Sequence, residues 1–152
     1  MSIWWSLHLR REAASVPLAR RLLLGTMETA GVDPDVSYDL SVALTEACAN
    51  AVEHGGGAGT GLPGGSPSGA YRVTAYLDGE TCRIEVADAG PGFPGAGVPR
   101  APSDDAEHGR GLRLIEELAD HVQFGNRSGR GGAVVSFDKI LKWRDSPSLL
   151  LA

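Results

Sequence analysis

Two alternating segments joined by a tight turn constrain the fold of this chain more than any other feature. Apolar residues occupy every second position in 71–77 and again in 82–86, and Asp78-Gly79 between them favours a β-hairpin. Because the side chains of a strand point alternately to its two sides, this hairpin has one apolar face, and its second strand delivers Asp88 on that side. Another layer of structure must cover that face.

Two helical patterns that precede the hairpin supply this layer. Apolar residues recur at helical spacing over 12–30, and Gly31 is suited to end the helix. After an Asp33 cap, a second helix is predicted from Pro34 to His54. Its apolar stripe comprises Val36, Leu40, Ala43, Leu44, Ala47 and Ala51.

The remaining patterns complete the element order. A first strand is predicted over 3–9, a third helix over 111–120, and two final strands over 122–124 and 133–140. The order β-α-α-β-β-α-β-β predicts an α+β two-layer sandwich, with the helices packed on one face of a mixed, mostly antiparallel sheet. Trp4 and Trp5 alternate on the first strand, so one of them is expected to be exposed, at a dimer surface or beside the core.

The chain length bounds the domain organisation. The 152 residues suffice for one domain with a real core, which we assign to 1–144, followed by a tail at 145–152. The glycine-rich segment 55–69 is predicted to be a loop within that domain. The long irregular stretch 89–108 is either a functional lid or disordered.

Composition excludes several classes of function. The net charge is −5 and the basic residues are scattered, which argues against nucleic-acid binding. No apolar run approaches the roughly 20 residues of a membrane span, and the first residues do not resemble a signal peptide, so a cytoplasmic protein is expected. Cys48 and Cys82 lack a CxxC neighbour and are expected to be buried free thiols rather than zinc ligands.

A polar line runs along the second helix, separate from its apolar stripe. Glu46, Asn50 and Glu53 recur at i, i+4 and i+7. An amide oxygen such as that of Asn50 can ligate Mg²⁺, and a carboxylate one turn away can accept a proton from an attacking hydroxyl or water. Read alone, this block fits an exposed polar face equally well.

An acid at a strand end forms the second block. Asp88 ends the hairpin and precedes two glycines, Gly90 and Gly92. A carboxylate at this position can accept a hydrogen bond from an exocyclic amine, which would select adenine over guanine. Read alone, the block is more typical of a turn capped by aspartate.

The third block is a glycine pair at the start of the third predicted helix. Gly109-Arg110-Gly111-Leu112 would expose amides at a helix N-terminus, where the positive end of the dipole favours anions. Arg110 could add a charge-assisted contact to a phosphate. A loop that requires positive φ explains this block alone equally well.

In this order the three blocks resemble the ATP-binding motifs of the GHKL, or Bergerat-fold, ATPases. The N box is similar to 46–54, the D-x-G-x-G box to 88–92 and the second glycine box to 109–112. Within that superfamily, the segments LTEACANAVEHG, VADAGPGF and GRGLRLIEELAD resemble the bacterial anti-sigma factor/serine-protein kinase family. The resemblance covers roughly 5–141 and implies the Bergerat ATP-binding fold.

The resemblance also implies roles for individual residues. Glu46 would be the general base, Asn50 would hold Mg²⁺, Asp88 would contact the adenine amine, and a lid at 93–108 would close over the phosphates of ATP. The other implied nucleotide-binding positions are Gly90, Gly92, Gly109, Arg110, Gly111 and Leu112.

The implied activity is a serine/threonine-protein kinase that uses ATP and Mg²⁺. It would transfer the γ-phosphate to an anti-anti-sigma partner of the STAS type and would hold a sigma factor inactive, with a homodimer as the implied assembly. The alternative is a degenerate ATP-binding or partner-sequestering module without significant kinase activity. Ala133 motivates it, since members commonly carry a threonine there whose hydroxyl supports adenine binding. A histidine-kinase catalytic domain and plain ATP hydrolysis are disfavoured, because both need segments that this sequence does not contain.

Overall fold

The elements of the fold follow the predicted order. A computed structural model describes residues 2–54, 69–88, 106–126 and 132–144, with only the backbone for 106–110. The elements are β1 (Ile3–Arg10), α1 (Ser15–Ala30), α2 (Pro34–His54), β2 (Ala70–Leu77), β3 (Thr81–Asp88), α3 (Ala106–Leu118), β4 (His121–Asn126) and β5 (Ala133–Ile140).

One five-stranded sheet, in the order β1-β2-β3-β5-β4, carries the three helices and confirms the predicted two-layer sandwich. Every ladder among the described strands is antiparallel, whereas the sequence left room for a parallel pair. The reason is topological. β3 and β4, which flank α3 in the chain, run in the same direction, but β5 lies between them and pairs with both.

The core lies between the apolar face of the sheet and the inner faces of the helices. All six residues of the predicted α2 stripe are buried, and so are the inward positions of the hairpin. Each valine, leucine or isoleucine among them stabilises the fold by about 1.5–3 kcal/mol when fully buried. The buried hairpin residues are Tyr71, Val73, Ala75, Leu77, Cys82, Ile84 and Val86.

The ends of the first two helices follow from local hydrogen bonds. α1 begins at Ser15 and not at the predicted residue 12, because the hydroxyl of Ser15 donates to the carbonyl of Glu12 at 2.6 Å and closes a turn there. Gly31 ends α1 with φ of 89°, as predicted. The cap at Asp33 is confirmed, since its carboxylate accepts the amide of Asp35 at 2.7 Å.

The predicted start of α3 at Gly111 is wrong. α3 begins at Ala106, so Gly109 lies in its first turn and Gly111 in its second. Alanine and glutamate at 106 and 107 favour helix, and a glycine inside a helix costs about 1 kcal/mol without ending it. The last three residues of the predicted lid at 93–108 are therefore helical.

Three predicted segments lie outside the described residues: the rest of the lid, the glycine-rich segment 55–69 except for Gly69, and the tail at 145–152.

β1 is an edge strand of the sheet, and Trp4 on it is 64% exposed. Its neighbour Trp5 donates its indole N–H to the hydroxyl of Thr26 at 3.1 Å, so one tryptophan is exposed as expected. None of the helices in the described part of the chain is long and apolar enough to cross a bilayer.

Candidate nucleotide site

The polar line of α2 lies where the sequence predicts it. Glu46 and Asn50 are half-buried, one helical turn apart, and Glu53 in the next turn is exposed. Cys48, between the first two along the chain, faces the core and is fully buried. Both polar side chains of the N-box-like segment are therefore accessible from solvent on a helix that the core holds rigidly.

The carboxylate of Glu46 contacts α3 at Gly111. A Cβ atom built on Gly111 would stand 3.0 Å from Oε2 of Glu46 and 4.0 Å from its Cδ. A separation of 3.0 Å is tighter than most real Cβ contacts, so an alanine at 111 would require the flexible end of Glu46 to shift by a few tenths of an ångström. The first and third sequence blocks thus meet at one point. Leu112 and Ile115, both buried in the core, hold α3 in this position.

Asp88 lies at the end of β3 on the buried side of the sheet, as predicted. It is only 5% exposed, although it is an acid. Its Oδ1 accepts a hydrogen bond from the backbone amide of Ala133 at 3.1 Å, at the first residue of β5. The last strand therefore supplies a main-chain donor to the acid, and this contact does not depend on the side chain at position 133.

A buried polar cluster lies beneath Asp88. Tyr71, opposite Asp88 in the β2–β3 ladder, is hydrogen bonded through its hydroxyl to that of Ser15 at 2.6 Å and also to the thiol of Cys48. Because Ser15 uses its own proton on the carbonyl of Glu12, the tyrosine hydroxyl is the donor to Ser15. This cluster joins α1, α2 and β2 below the site.

Burial keeps the groups of this cluster uncharged near neutral pH. It raises the pKa of the Cys48 thiol to about 12, against a smaller lowering by the hydrogen bond with Tyr71. Burial likewise raises the pKa of Tyr71 far above its ordinary value, with a smaller lowering by its bond to Ser15. The cluster is therefore structural, and the expected burial of both free cysteines is confirmed.

The last turn of α2 is tied to the end of β1. The guanidinium Nε of Arg11 donates to the carbonyl of Val52 at 2.7 Å, which satisfies one of the carbonyls that a helix leaves without a partner at its C-terminus. The backbone amide of Arg11 donates to the carbonyl of Gly69 at 2.7 Å. Asn50 thus lies one turn before a helix end that is anchored by a hydrogen bond from Arg11.

This arrangement matches a known family. The family model described as "Histidine kinase-like ATPase domain" matches residues 9–139. The chain belongs to this histidine kinase-like ATPase family. It is 30% identical over 123 residues to the serine-protein kinase RsbW of Bacillus subtilis (strain 168), an alignment that covers 75% of this chain and 72% of that protein.

Solved structures share the fold of this histidine kinase-like ATPase domain. The RsbU and RsbW domains of a Mycobacterium tuberculosis protein match with a TM-score of 0.62 at 22% identity, over 91% of this chain. The match spans only 33% of that longer chain. The SiaB-SiaC complex of Pseudomonas aeruginosa matches with a TM-score of 0.54 at 14% identity, over 90% of this chain and 88% of that one. At these identities the likeness concerns the fold alone.

The structure of this ATPase-family domain brings some of the predicted site residues together, whereas other predicted positions lie outside the described residues. Glu46 and Gly111 are in contact, and Asp88 is fixed at the end of the strand next to β5. Gly109 and Arg110 lie in the first turns of α3, whereas Gly90 and Gly92 lie outside the described residues. Sequence reasoning missed the amide of Ala133 and the hydroxyl of Tyr71, because neither residue type in isolation signals a site.

Proposed function

We propose that this chain is an ATP- and Mg²⁺-dependent serine-protein kinase that acts as an anti-sigma factor in the bacterial cytoplasm. It phosphorylates a STAS-type anti-anti-sigma partner and sequesters a sigma factor. The observation that carries this proposal is the contact between the Glu46 carboxylate and Gly111, with Asn50 one turn away on the same helix. The name of the Bacillus subtilis relative, a serine-protein kinase, supports the reaction class.

Asp88 is the proposed recognition residue for adenine. Its carboxylate has about four lone-pair positions on two oxygens, so it can accept more than one hydrogen bond, and that from the Ala133 amide is one of them. Adenine presents an exocyclic amine, which donates, where guanine presents a carbonyl oxygen, which would repel an acceptor. A buried acid held by a main-chain amide would therefore favour ATP over GTP.

The start of α3 is the proposed site for the phosphates. The first four N–H groups of a helix have no intrahelical partner and lie at the positive end of its dipole. Because α3 begins at Ala106, these amides belong to 106–109 and not to the turn at Gly111. Arg110 follows them directly in the chain and would add a charge-assisted contact to a phosphate oxygen.

The polar line of α2 offers an oxygen ligand for one magnesium ion. Among the described residues, no group of three or more histidine, cysteine, aspartate or glutamate side chains is arranged to hold a metal. Mg²⁺ does not require such a cage, because it keeps several waters and takes one or two protein oxygens plus phosphate oxygens. The amide oxygen of Asn50, one helical turn from Glu46 on α2, would be such a ligand. When bound, the ion would neutralise charge on the phosphates.

Glu46 is the proposed general base of the transfer. The hydroxyl oxygen of the partner's serine or threonine forms a bond to the γ-phosphorus, the bond from that phosphorus to the β–γ bridging oxygen breaks, and ADP leaves. Glu46 accepts the proton of the attacking hydroxyl. Its half-buried position lets the carboxylate reach a hydroxyl that is offered from solvent by another protein.

Calorimetric titration of ATP, with and without Mg²⁺, tests the proposed nucleotide and metal binding on the unmodified protein and on the variants Asn50→Ala and Glu53→Ala. We expect ATP binding to require Mg²⁺ and to weaken strongly in Asn50→Ala. ATP affinity should be unchanged in Glu53→Ala, which removes an exposed side chain from the same polar line. Transfer of the γ-phosphate from labelled ATP to candidate STAS proteins tests the second half. Tight ATP binding without transfer to any STAS partner would leave an ATP-binding module and exclude the kinase.

A further inference from the structure

A lysine lies on the side of β5 that faces the helices. Ala133, Val135 and Phe137 alternate along this side of the strand, and all three are buried in the core. Lys139 continues the same alternation, and only 18% of its side chain is exposed. Because a lysine is almost never buried without partners, the contacts of its ammonium group indicate what it does there.

The ammonium group of Lys139 joins two helices. Nζ donates to the backbone carbonyl of Leu118, the last residue of α3, at 2.8 Å. The last carbonyls of a helix have no intrahelical partner and lie at the negative end of its dipole, where a cation is favourable. Nζ also lies 3.9 Å from Oδ2 of Asp39 on α2, which makes a looser ion pair. Lys139 thus links the C-terminal end of α3 to both β5 and α2.

This link lies two helical turns from the contact between Glu46 and Gly111. Seven residues separate Asp39 from Glu46 along α2, and seven separate Gly111 from Leu118 along α3. Each interval is about 10.5 Å long, and residues seven apart lie on nearly the same face of a helix. The two helices therefore run antiparallel and meet at two matched points, one at Gly111 and the other at Lys139.

We infer that Lys139 is a positioning residue that sets where α3 lies along α2. Through α3 it fixes the separation between Gly111 and the carboxylate of Glu46. The amide of Asp120 also ties the chain after α3 to β5, through the carbonyl of Asp138 at 2.8 Å, but this bond does not reach α2. The effect of Lys139 on phosphotransfer rests on the proposed function, whereas its effect on the contact at Gly111 does not.

The backbone amide resonance of Gly111 reports this position without ATP. In nitrogen–proton correlation spectra of the full chain, Lys139→Met keeps the unbranched stem and removes the ammonium group, so the resonance should shift. Gly111 lies about 10.5 Å along α3 from the carbonyl that Lys139 holds, so its shift reports movement of the helix. The amide of Gly25 in α1 should stay unchanged. Lys142→Met is the matched control, because Lys142 is exposed just beyond β5 and its loss should leave Gly111 unchanged.

Asp39→Asn tests the same link from the side of α2 and keeps the test decisive if Lys139→Met does not fold. It should shift the Gly111 resonance by a smaller amount, because the bond to the carbonyl of Leu118 remains. An unchanged Gly111 resonance in Lys139→Met, or in Asp39→Asn if the lysine variant is unfolded, overturns the inference. An equal shift in Lys142→Met overturns it as well.

Phosphotransfer tests the consequence for the proposed reaction. Lys139→Met should lower kcat by about 10- to 100-fold, with a smaller change in KM for ATP because Asp88 on the sheet is untouched. Combined with Gly111→Ala, which displaces the same carboxylate, the two losses in kcat should be far from additive. Independent losses would overturn the positioning role. A shifted Gly111 resonance in Lys139→Met, in a protein that transfers no phosphate even when unmodified, would overturn the kinase and leave this role intact.

Discussion

The two acids of the proposed site are held in contrasting ways. Asp88 is buried at the end of a central strand, and a main-chain amide fixes one of its oxygens. Glu46 is half-buried on a helix, and its carboxylate is placed by the approach of a second helix at Gly111. The sheet thus preorganises the proposed recognition end of the site, which is Asp88. The position of the proposed chemical end, which is Glu46, depends instead on how α2 and α3 pack. Changes at the two ends should therefore affect different steps.

The largest expected effect is on the chemical end. Glu46→Gln keeps the size of the side chain but removes the base, so phosphotransfer to the partner should fall by about 10²–10⁴-fold. ATP affinity should be retained, because the recognition end is untouched. Single-turnover transfer of labelled phosphate and calorimetric ATP binding measure the two quantities. Loss of both together would contradict the division of the site.

A smaller effect is expected from Asp88→Asn. The asparagine carbonyl can still accept the amide of Ala133, but its NH₂ group faces the adenine amine as a second donor. Removal of one hydrogen bond to a charged group costs about 1.5–3 kcal/mol, which corresponds to about a 10- to 100-fold loss of ATP affinity. The preference for ATP over GTP should shrink as well, which competition between the two nucleotides measures. An unchanged preference would show that Asp88 does not read the base.

Gly111→Ala should separate activity from stability. The new Cβ would stand 3.0 Å from Oε2 of Glu46, so the flexible carboxylate must move and phosphotransfer should fall about tenfold. The helix itself gains up to about 1 kcal/mol from the replacement of glycine by alanine. Thermal unfolding should therefore be unchanged or slightly higher. Gly25→Ala in α1 is the matched control, since its Cβ would meet nothing within 4 Å and transfer should be unaffected.

The smallest effect at neutral pH is expected from the two buried thiols, Cys48 on α2 and Cys82 near the start of β3. Burial raises the pKa of Cys48 and of Cys82 from 9.0 to about 12. A pKa raised by folding stabilises the folded state fully below the unfolded pKa, and this contribution is lost as pH rises from about 9 towards 12. Urea denaturation between pH 8 and 11 should show a falling free energy of unfolding. The loss should be smaller in Cys82→Ala, and an equal loss there would exclude this thiol as a cause.

The parts of the fold that local periodicity determines were predictable from the sequence. The hairpin, the bounds of α2 and the buried side on which Asp88 lies all follow from spacing, and the structure has them as predicted. The start of α3 was not predictable by the same reasoning. Glycine marks a boundary only when nothing else holds the helix, and burial of Leu112 and Ile115 outweighs that local preference.

Contacts that arise from the order of strands in the sheet could not be predicted from sequence patterns. The amide of Ala133 reaches Asp88 because β5 inserts beside β3, and no local pattern indicates which strands become neighbours. The sequence instead drew attention to the missing hydroxyl at 133, which motivated a degenerate site. Since the backbone supplies the donor, that residue is a weaker reason to doubt nucleotide binding than its side chain suggests.

Arg11 has a consequence for how this domain can be altered. Its guanidinium holds Val52 and its amide holds Gly69, so a single residue fastens the chain on both sides of the glycine-rich segment 55–68. Arg11 fixes the residues that flank the segment whatever lies between them, and doubling the length of a flexible connection costs only about 0.6 kcal/mol. We therefore expect this segment to tolerate the insertion of an epitope or a fluorescent reporter, with Asn50 and Tyr71 left in place.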